Sequence, residues 1–487
     1  EFGYRDVRPH PLIVDYCGQP YVDIRASLNS FVPAQLCSRL AEKVIESYLR
    51  ILQDSPQLHD KLEFDVAFTI WTPSFESEAL KRLTPHGISI LQIREVGEAL
   101  QDITRRAISR LDEDITPVQS LDKRCELLKT SSLHPLDKAI ALLSDCKHFG
   151  ALAFAHAARA GFVAQSFLKS FTTLGILTEA DNQAFLKSIK TVASELEEDR
   201  RTVFAGQMSK WEYLERYGHL RPGTYDATVE AYWEAPERYL FYKQKNFSYN
   251  SKEENPFKFS SSARKAIENE IAKIDREISF DSLLDYIVNA IQAREYVKFQ
   301  FTRNLSLALD AIIEHGLNLG ITREDITFLN IDEFEQLKVG SLSERDLPSV
   351  IEQRKQSFSI TQMIELPQLL FQESDFYCFE RCVSQPNFVT GKRVEASVIV
   401  WAENESPDLC GRLILIPQAD PGYDWLFGYG IAGLITKYGG ANSHMAIRAA
   451  EMGLPAAIGI GEKLYERLVD AQRIQLDCAN QTIRRIQ

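Results

Sequence analysis

Over the first two-thirds of the chain, apolar residues recur at helical spacing. Leu36, Leu40, Val44, Ile45 and Tyr48 fall on one face of a helix expected to start at Pro33 and run to Ile51. Val96, Leu100, Ile103, Ala107 and Leu111 make a second stripe, residues 138–143, 150–171 and 180–198 continue the pattern, and Ile267, Ile271, Ile274 and Ile278 form another. Such stripes almost always face a core. Strand signals open the chain: 12–14 and 21–25 are short apolar runs around the turn Cys17-Gly18-Gln19-Pro20, and 62–71 alternates, with Leu62, Phe64, Val66 and Phe68 on one side. The polar stretch 243–262 reads as a long loop, and 338–354 as a charged excursion. Near Gln385-Pro386-Asn387 the texture changes to short strands at 396–401, 412–417, 433–436, 456–460 and 473–476, with a hairpin turn at 478–482 leading into 483–486. The pattern predicts an α+β multidomain chain. An α-rich central module spans 1–385, with an α/β opening to about residue 75. A β/α unit spans 386–487, with a hinge near Gln385.

The most informative stretch is 435–461, ITKYGGANSHMAIRAAEMGLPAAIGIG. Gly439 and Gly440 permit a tight turn and a close approach of backbone to a ligand. Asn442 and Ser443 are good N-cap residues, Gly453 and Pro455 stop the helix that follows, and 456–460 is an apolar run of strand length. His444 therefore falls on the first turn of a short helix. Unpaired N–H groups there favour an anion, and the helix dipole is expected to hold the imidazole neutral and nucleophilic.

This string resembles the phosphohistidine signature of the phosphoenolpyruvate-utilising enzymes. The group includes phosphoenolpyruvate synthase, pyruvate phosphate dikinase and rifampin phosphotransferase. The match runs through Gly439, Gly440, Ser443, His444, Ala446, Ile447, Glu451, Gly453, Pro455 and Ala456. The resemblance implies a swivelling domain whose histidine collects a phosphoryl group at one site and delivers it at another, with Thr436, Gly439, Gly440 and Ser443 shaping the phosphate pocket. Two positions depart from the family: Asn442 replaces a regulatory threonine, and Ala450 replaces an arginine that usually contacts phosphate. The resemblance also implies ATP and Mg2+, supplied through an ATP-grasp domain in cis or in trans. No such domain is recognisable in this sequence, and the chain, which opens on Glu1 rather than Met, reads as a fragment.

Other candidates lie on the acceptor side. The loop Tyr217-Gly218-His219-Leu220-Arg221-Pro222-Gly223-Thr224-Tyr225-Asp226 presents a base, a cation and an acid, and a similar Tyr-Gly-His loop occurs in the family's central domains. Arg5 and Arg8 cluster near the N-terminus, and Arg294 and Lys298 share a helix face beside Glu295. The first 29 residues, the 217–226 loop and residues 416–461 together look most like the L-glutamine kinase branch of capsular phosphoramidate synthesis. That branch predicts a glutamine-like acceptor held by His219, Arg221, Arg294 and the N-terminal arginines. Other readings are a dikinase, a rifampin-type phosphotransferase and a non-catalytic phosphocarrier. A bulky, greasy acceptor would need a large apolar pocket.

Composition narrows the partners. A net charge of -13 argues against nucleic acid and anionic membranes. Eight cysteines without a CxxC pair and no signal peptide suggest reduced, mostly structural thiols in a cytoplasmic protein, and no zinc spacing offers a metal ligand set of the chain's own. The most apolar run, 149–168, carries His156, Arg159 and Gln165, which predicts a buried helix rather than a membrane span.

Overall fold

The computed structural model describes residues 2–240, 257–379, 386–401, 408–440 and 443–486. The chain is α+β. The α-rich part is organised on one 39-residue helix, Phe280–Asn318, whose buried stripe runs from Phe280 through Ala290, Val297 and Ala308 to Gly316. The helix Leu152–Thr173 packs along it through Ala157, Ala160, Ala164 and Phe167. Small residues let the two backbones approach: a Cβ on Gly161 would lie 3.2 Å from Arg294 Cδ. The apolar run at 149–168 is thus a bundle core. Among the described residues no helix is long and apolar enough to cross a membrane.

The stripes on Ser38–Asp54 and Ile90–Ser109 face the same core, as expected. The first of these helices begins five residues later than Pro33. The backbone at 32–34 pairs instead with the N-terminal segment, through Arg5 N–H to Val32 O and Ala34 N–H to Gly3 O. Helix also enters 338–354, where a charged excursion is expected: Ile331–Val339 ends in it and Leu347–Met363 starts in it.

The α/β opening is not formed. Strands β1 (Ile13–Tyr16) and β2 (Gln19–Val22) make an isolated antiparallel hairpin about the predicted turn. The alternating run at 62–71 is not a strand. Leu62–Val66 is one wide helical turn closed by Ala67 N–H to Leu62 O at 2.7 Å. Its alternation arises because Phe64 packs on Phe162, and Phe68 lies under Arg82 and against Phe75. Side chains meeting helices can alternate without a hydrogen-bonding neighbour, and a strand cannot form without one.

The C-terminal unit is a seven-stranded sheet of order β3-β7-β6-β5-β4-β8-β9. Strands β4 (Arg393–Val400), β5 (Leu413–Gln418), β6 (Gly433–Tyr438) and β7 (Ala456–Ile458) are parallel. Strands β3 (Asn387–Val389), β8 (Arg473–Asp477) and β9 (Thr482–Arg485) join antiparallel at the edges. Strand β5 is buried at four successive positions, Leu413 to Ile416, as a parallel strand covered on both faces must be. One face carries His444–Glu451, and the other carries Glu462–Val469.

The two parts share a core. Tyr213, Tyr217, Tyr232 and Tyr239 of the α-rich part pack with Trp401, Trp425, Tyr429 and Met445 of the sheet unit. Tyr232 donates to Gly422 O at 2.6 Å. Residues 241–256 and 380–385, where the long loop and the hinge are expected, fall outside the described residues.

Candidate active site

His444 sits where the carboxyl end of β6 turns into a helix, the usual place for a ligand on a parallel sheet. The turn is built as its sequence suggests. Gly439 has φ +138°, and a Cβ there would lie 2.5 Å from Ala419 Cβ. Gly440 has open space in front of it. Ser443 is the N-cap, its hydroxyl accepting from Ala446 N–H. Gly453, at φ +60°, ends the helix. Asn442, the position of the expected regulatory threonine, falls outside the described residues. Thr436 is wholly buried and its hydroxyl is already used: it donates to Tyr438 O at 2.9 Å and accepts from Gly459 N–H at 3.0 Å. It braces the loop rather than facing the pocket.

The imidazole is clamped at both nitrogens. Nδ1 lies 2.9 Å from Glu295 Oε2 on the long helix, and Nε2 lies 3.0 Å from Asp424 Oδ1 on its own unit. Both partners are carboxylates, so both nitrogens carry protons and the ring is an imidazolium. Burial alone would lower its pKa, but the two carboxylates outweigh burial and lift it to about 9. This corrects the neutral ring expected from the helix dipole: two full charges at 3 Å dominate the partial charge of a helix end. Burial opposes ionisation of Glu295 as well, but His444, Arg294 and Lys298 hold its pKa near 2. Asp424 is likewise kept ionised against burial by Arg448, whose Nε reaches Oδ1 at 3.1 Å, and by His444. An arginine expected at 450 is absent, and Arg448 sits one half-turn earlier.

Two small cavities flank the ring. One, of about 20 Å³, is lined by Arg294, Glu295, Gln165 and Arg448. The other, of about 50 Å³, is lined by Lys298, Phe299, Thr224 and Asp424. Arg294, Glu295 and Lys298 thus come from one face of one helix, and they surround a histidine about 150 residues away. Burial lowers the pKa of Lys298, with Asp420 and Glu295 opposing.

The remaining predicted residues are placed elsewhere. Arg5 donates to Leu36 O, and Arg8 lies exposed against Asp6 at 2.6 Å; neither lines the cavities at His444. Arg221 is buried, with its guanidinium committed to Ser306 Oγ at 2.8 Å, Val229 O at 3.1 Å and Asp310 Oδ1 at 2.5 Å. His219 is buried edge-on against Phe299 with ring centroids 4.6 Å apart, and burial drops its pKa to about 3. The loop carries both groups inward: His219 packs on Phe299, and Arg221 ties the loop to the long helix at Ser306 and Asp310. Sequence reasoning missed Asp424 entirely and read Glu295 only as a neighbour of Arg294. The signal available was an acid between two basic residues on one helix face.

Among the described residues no group of three or more His, Cys, Asp or Glu stands together to hold a metal ion.

The PEP-utilising enzyme mobile domain family matches residues 410–481, the sheet unit that carries His444. Among curated proteins the chain is similar to rifampicin phosphotransferases. The similarity is 26% identity over 288 residues with the protein of Streptomyces sviceus, covering 54% of this chain and 32% of that protein. It is 29% over 207 residues with one from Streptomyces sp, covering 41% and 23%. It is 25% over 293 residues with that of Bacillus subtilis, covering 55% and 33%. The matches span a third or less of the relatives' length.

Proposed function

We propose that the chain is the phosphohistidine-and-acceptor portion of an ATP-dependent phosphotransferase, in which His444 carries the phosphoryl group. The single observation that carries this reading is the clamp of His444 between Glu295 and Asp424, with Arg294 and Lys298 beside it. When phospho-His444 is docked, a carboxylate keeps its free nitrogen protonated, so the ring leaves as neutral imidazole rather than as an anion. The N–P bond breaks and its electron pair returns to the ring nitrogen, while an acceptor oxygen forms the new bond to phosphorus. The acceptor's proton ends on that ring nitrogen, giving the imidazolium seen between the two carboxylates. Arg294 and Lys298 are suited to hold the phosphoryl oxygens as charge shifts. ATP and Mg2+ belong to the loading step, which this reading assigns to an ATP-binding domain in cis or in trans.

The acceptor reading favours a rifampicin-type, hydroxylated molecule over glutamine. The glutamine reading needs His219 and Arg221 as ligands, yet both are buried and the guanidinium is spent on Ser306, Val229 and Asp310. The curated relatives named above point the same way. The test supplies the chain with an ATP-binding domain, Mg2+ and ATP, and maps phosphate by mass spectrometry. The expected result is an acid-labile adduct on His444, absent in His444→Ala, and transfer to rifampicin but not to glutamine in phosphorus NMR. Full activity of His444→Ala would sink the carrier role. An N-phosphoryl product from glutamine would restore the glutamine reading.

A further inference from the structure

Arg200, on the helix Val192–Phe204 of the α-rich part, is 1% exposed. It pairs with Glu197 at 3.1 Å and reaches the sheet unit, where its guanidinium lies over the ring of Tyr429, 5.0 Å from the centroid. At Gly428 an added Cβ would fall 1.5 Å from Arg200 Nη2 and 2.7 Å from Glu197 Oε2. The first distance is about 2 Å closer than van der Waals contact allows. The backbone of Gly428 makes no demand for glycine of its own, since its φ is not positive. Position 428 is closed to a side chain because Arg200 and Glu197 of the other part stand against it.

Gly428 lies on Pro421–Tyr429, the buried helical segment that also carries Asp424. Asp424 is one of the two carboxylates that hold His444, and the other, Glu295, stands on the long helix. The seat of this segment on the α-rich part therefore sets how closely His444 approaches Glu295, Arg294 and Lys298. We infer that Arg200 is a positioning residue for phosphoryl transfer: its guanidinium is the stop against which Gly428 seats, and it fixes the depth at which His444 docks. The inference rests on the reading of His444 as the phosphoryl carrier and of the sheet unit as a part that docks and departs.

A buried guanidinium suits this task. An exposed arginine would swing away from an added methyl group at little cost. Arg200 is held between Glu197 and the Tyr429 ring, and moving it would strand a buried charge. Such a pair stabilises little by itself, so fixing a geometry is its natural role. A second glycine contact differs in kind. A Cβ on Gly422 would fall 1.8 Å from the backbone oxygen of Arg221. That wall is main chain and cannot yield to a change at residue 200, which makes Gly422 the control.

The experiment follows two steps on the full chain supplied with an ATP-binding domain, Mg2+ and ATP. Gly428→Ala should load His444 at the parental rate but slow single-turnover transfer to rifampicin by about 100-fold, the scale of a misplacement of about 1 Å. Arg200→Lys keeps a charge opposite Glu197 on a slimmer end, so adding it to Gly428→Ala should recover about tenfold of the loss. Added to Gly422→Ala, it should recover nothing. An NMR titration of the unphosphorylated chain reads the same displacement. The pKa of His444, about 9 in the parent, should fall in Gly428→Ala as Glu295 draws away, and rise again in the double variant. Loss of fold would slow loading as much as transfer and would not be reversed by a second substitution. Parental transfer in Gly428→Ala, loading and transfer slowed alike, or equal recovery in both glycine variants overturns the role of Arg200. A parent that neither loads His444 nor passes phosphate on defeats the phosphotransferase reading instead, and the titration still decides whether Arg200 seats the sheet unit.

Discussion

Glu295 and His444 are 149 residues apart in the chain and share a 2.9 Å hydrogen bond that joins the long helix to the sheet unit. Both side chains are largely buried, at 18% and 10% exposed. A buried charge pair stabilises little by itself, but removing one partner strands the other. The contact therefore selects the docked arrangement more than it strengthens it. It also fixes the ring's protonation, because an imidazolium is the form that can donate to Glu295 and Asp424 together.

Replacing Glu295 by Gln removes one carboxylate and leaves Arg294 and Lys298 nearby. The pKa of His444, about 9 in the intact protein, should fall by at least about one unit. An NMR titration of the ring protons measures it. A titration unchanged from the intact protein would show that Asp424 alone sets the ring's basicity.

The strength of the clamp should depend on pH in a stated window. His444 is raised from 6.5 to about 9, so its contribution is full below 6.5 and is lost as pH rises through 9. Glu295 is lowered from 4.5 to about 2, so its contribution is full above 4.5 and is lost as pH falls through 2. Docking should be tightest between about 4.5 and 6.5 and should loosen towards pH 9. Solution scattering across pH 5 to 9.5 should show the radius of gyration rising at the upper end. A flat profile would mean that the tyrosine–tryptophan core holds the two parts together without the clamp.

Arg294→Ala and Lys298→Ala should each slow phosphoryl transfer from His444 by about 100-fold while the protein stays folded, since each removes a cation placed where charge shifts. Single-turnover transfer from pre-formed phosphohistidine separates this from loading. Equal rates in the variants and the parent would leave these cations with a structural role only.

Arg221 should behave as a structural residue. Arg221→Met leaves Asp310 without its guanidinium and should cost about 3–5 kcal/mol of stability. A shift of the urea midpoint measures the loss. Stability within about 0.5 kcal/mol of the parent, combined with lost acceptor binding, would return Arg221 to the substrate side.

Much of this protein was written in local patterns. The helical stripes at 96–111 and 267–274 are buried as their spacing requires. The strands of the sheet unit stand within a few residues of their predicted places, because apolar runs between turn residues have few other solutions. His444, Ser443 and Gly439 were legible too, since a tight turn and an N-cap are set by the residues that make them. What the sequence did not decide depends on partners distant in the chain. The run 62–71 alternates as a strand does, but no strand lies beside it, so it curls onto helices. Asp424 carries no local mark of its role, and Glu295 only its place between Arg294 and Lys298 on one helix face; the packing of the sheet unit against the long helix brings both carboxylates to one ring. Packing of their own loop on the long helix turned Arg221 and His219 inward, onto Ser306, Asp310 and Phe299. A side chain's neighbours within one helix or turn follow from spacing, whereas its charge partners across an interface exist only once the two surfaces have met.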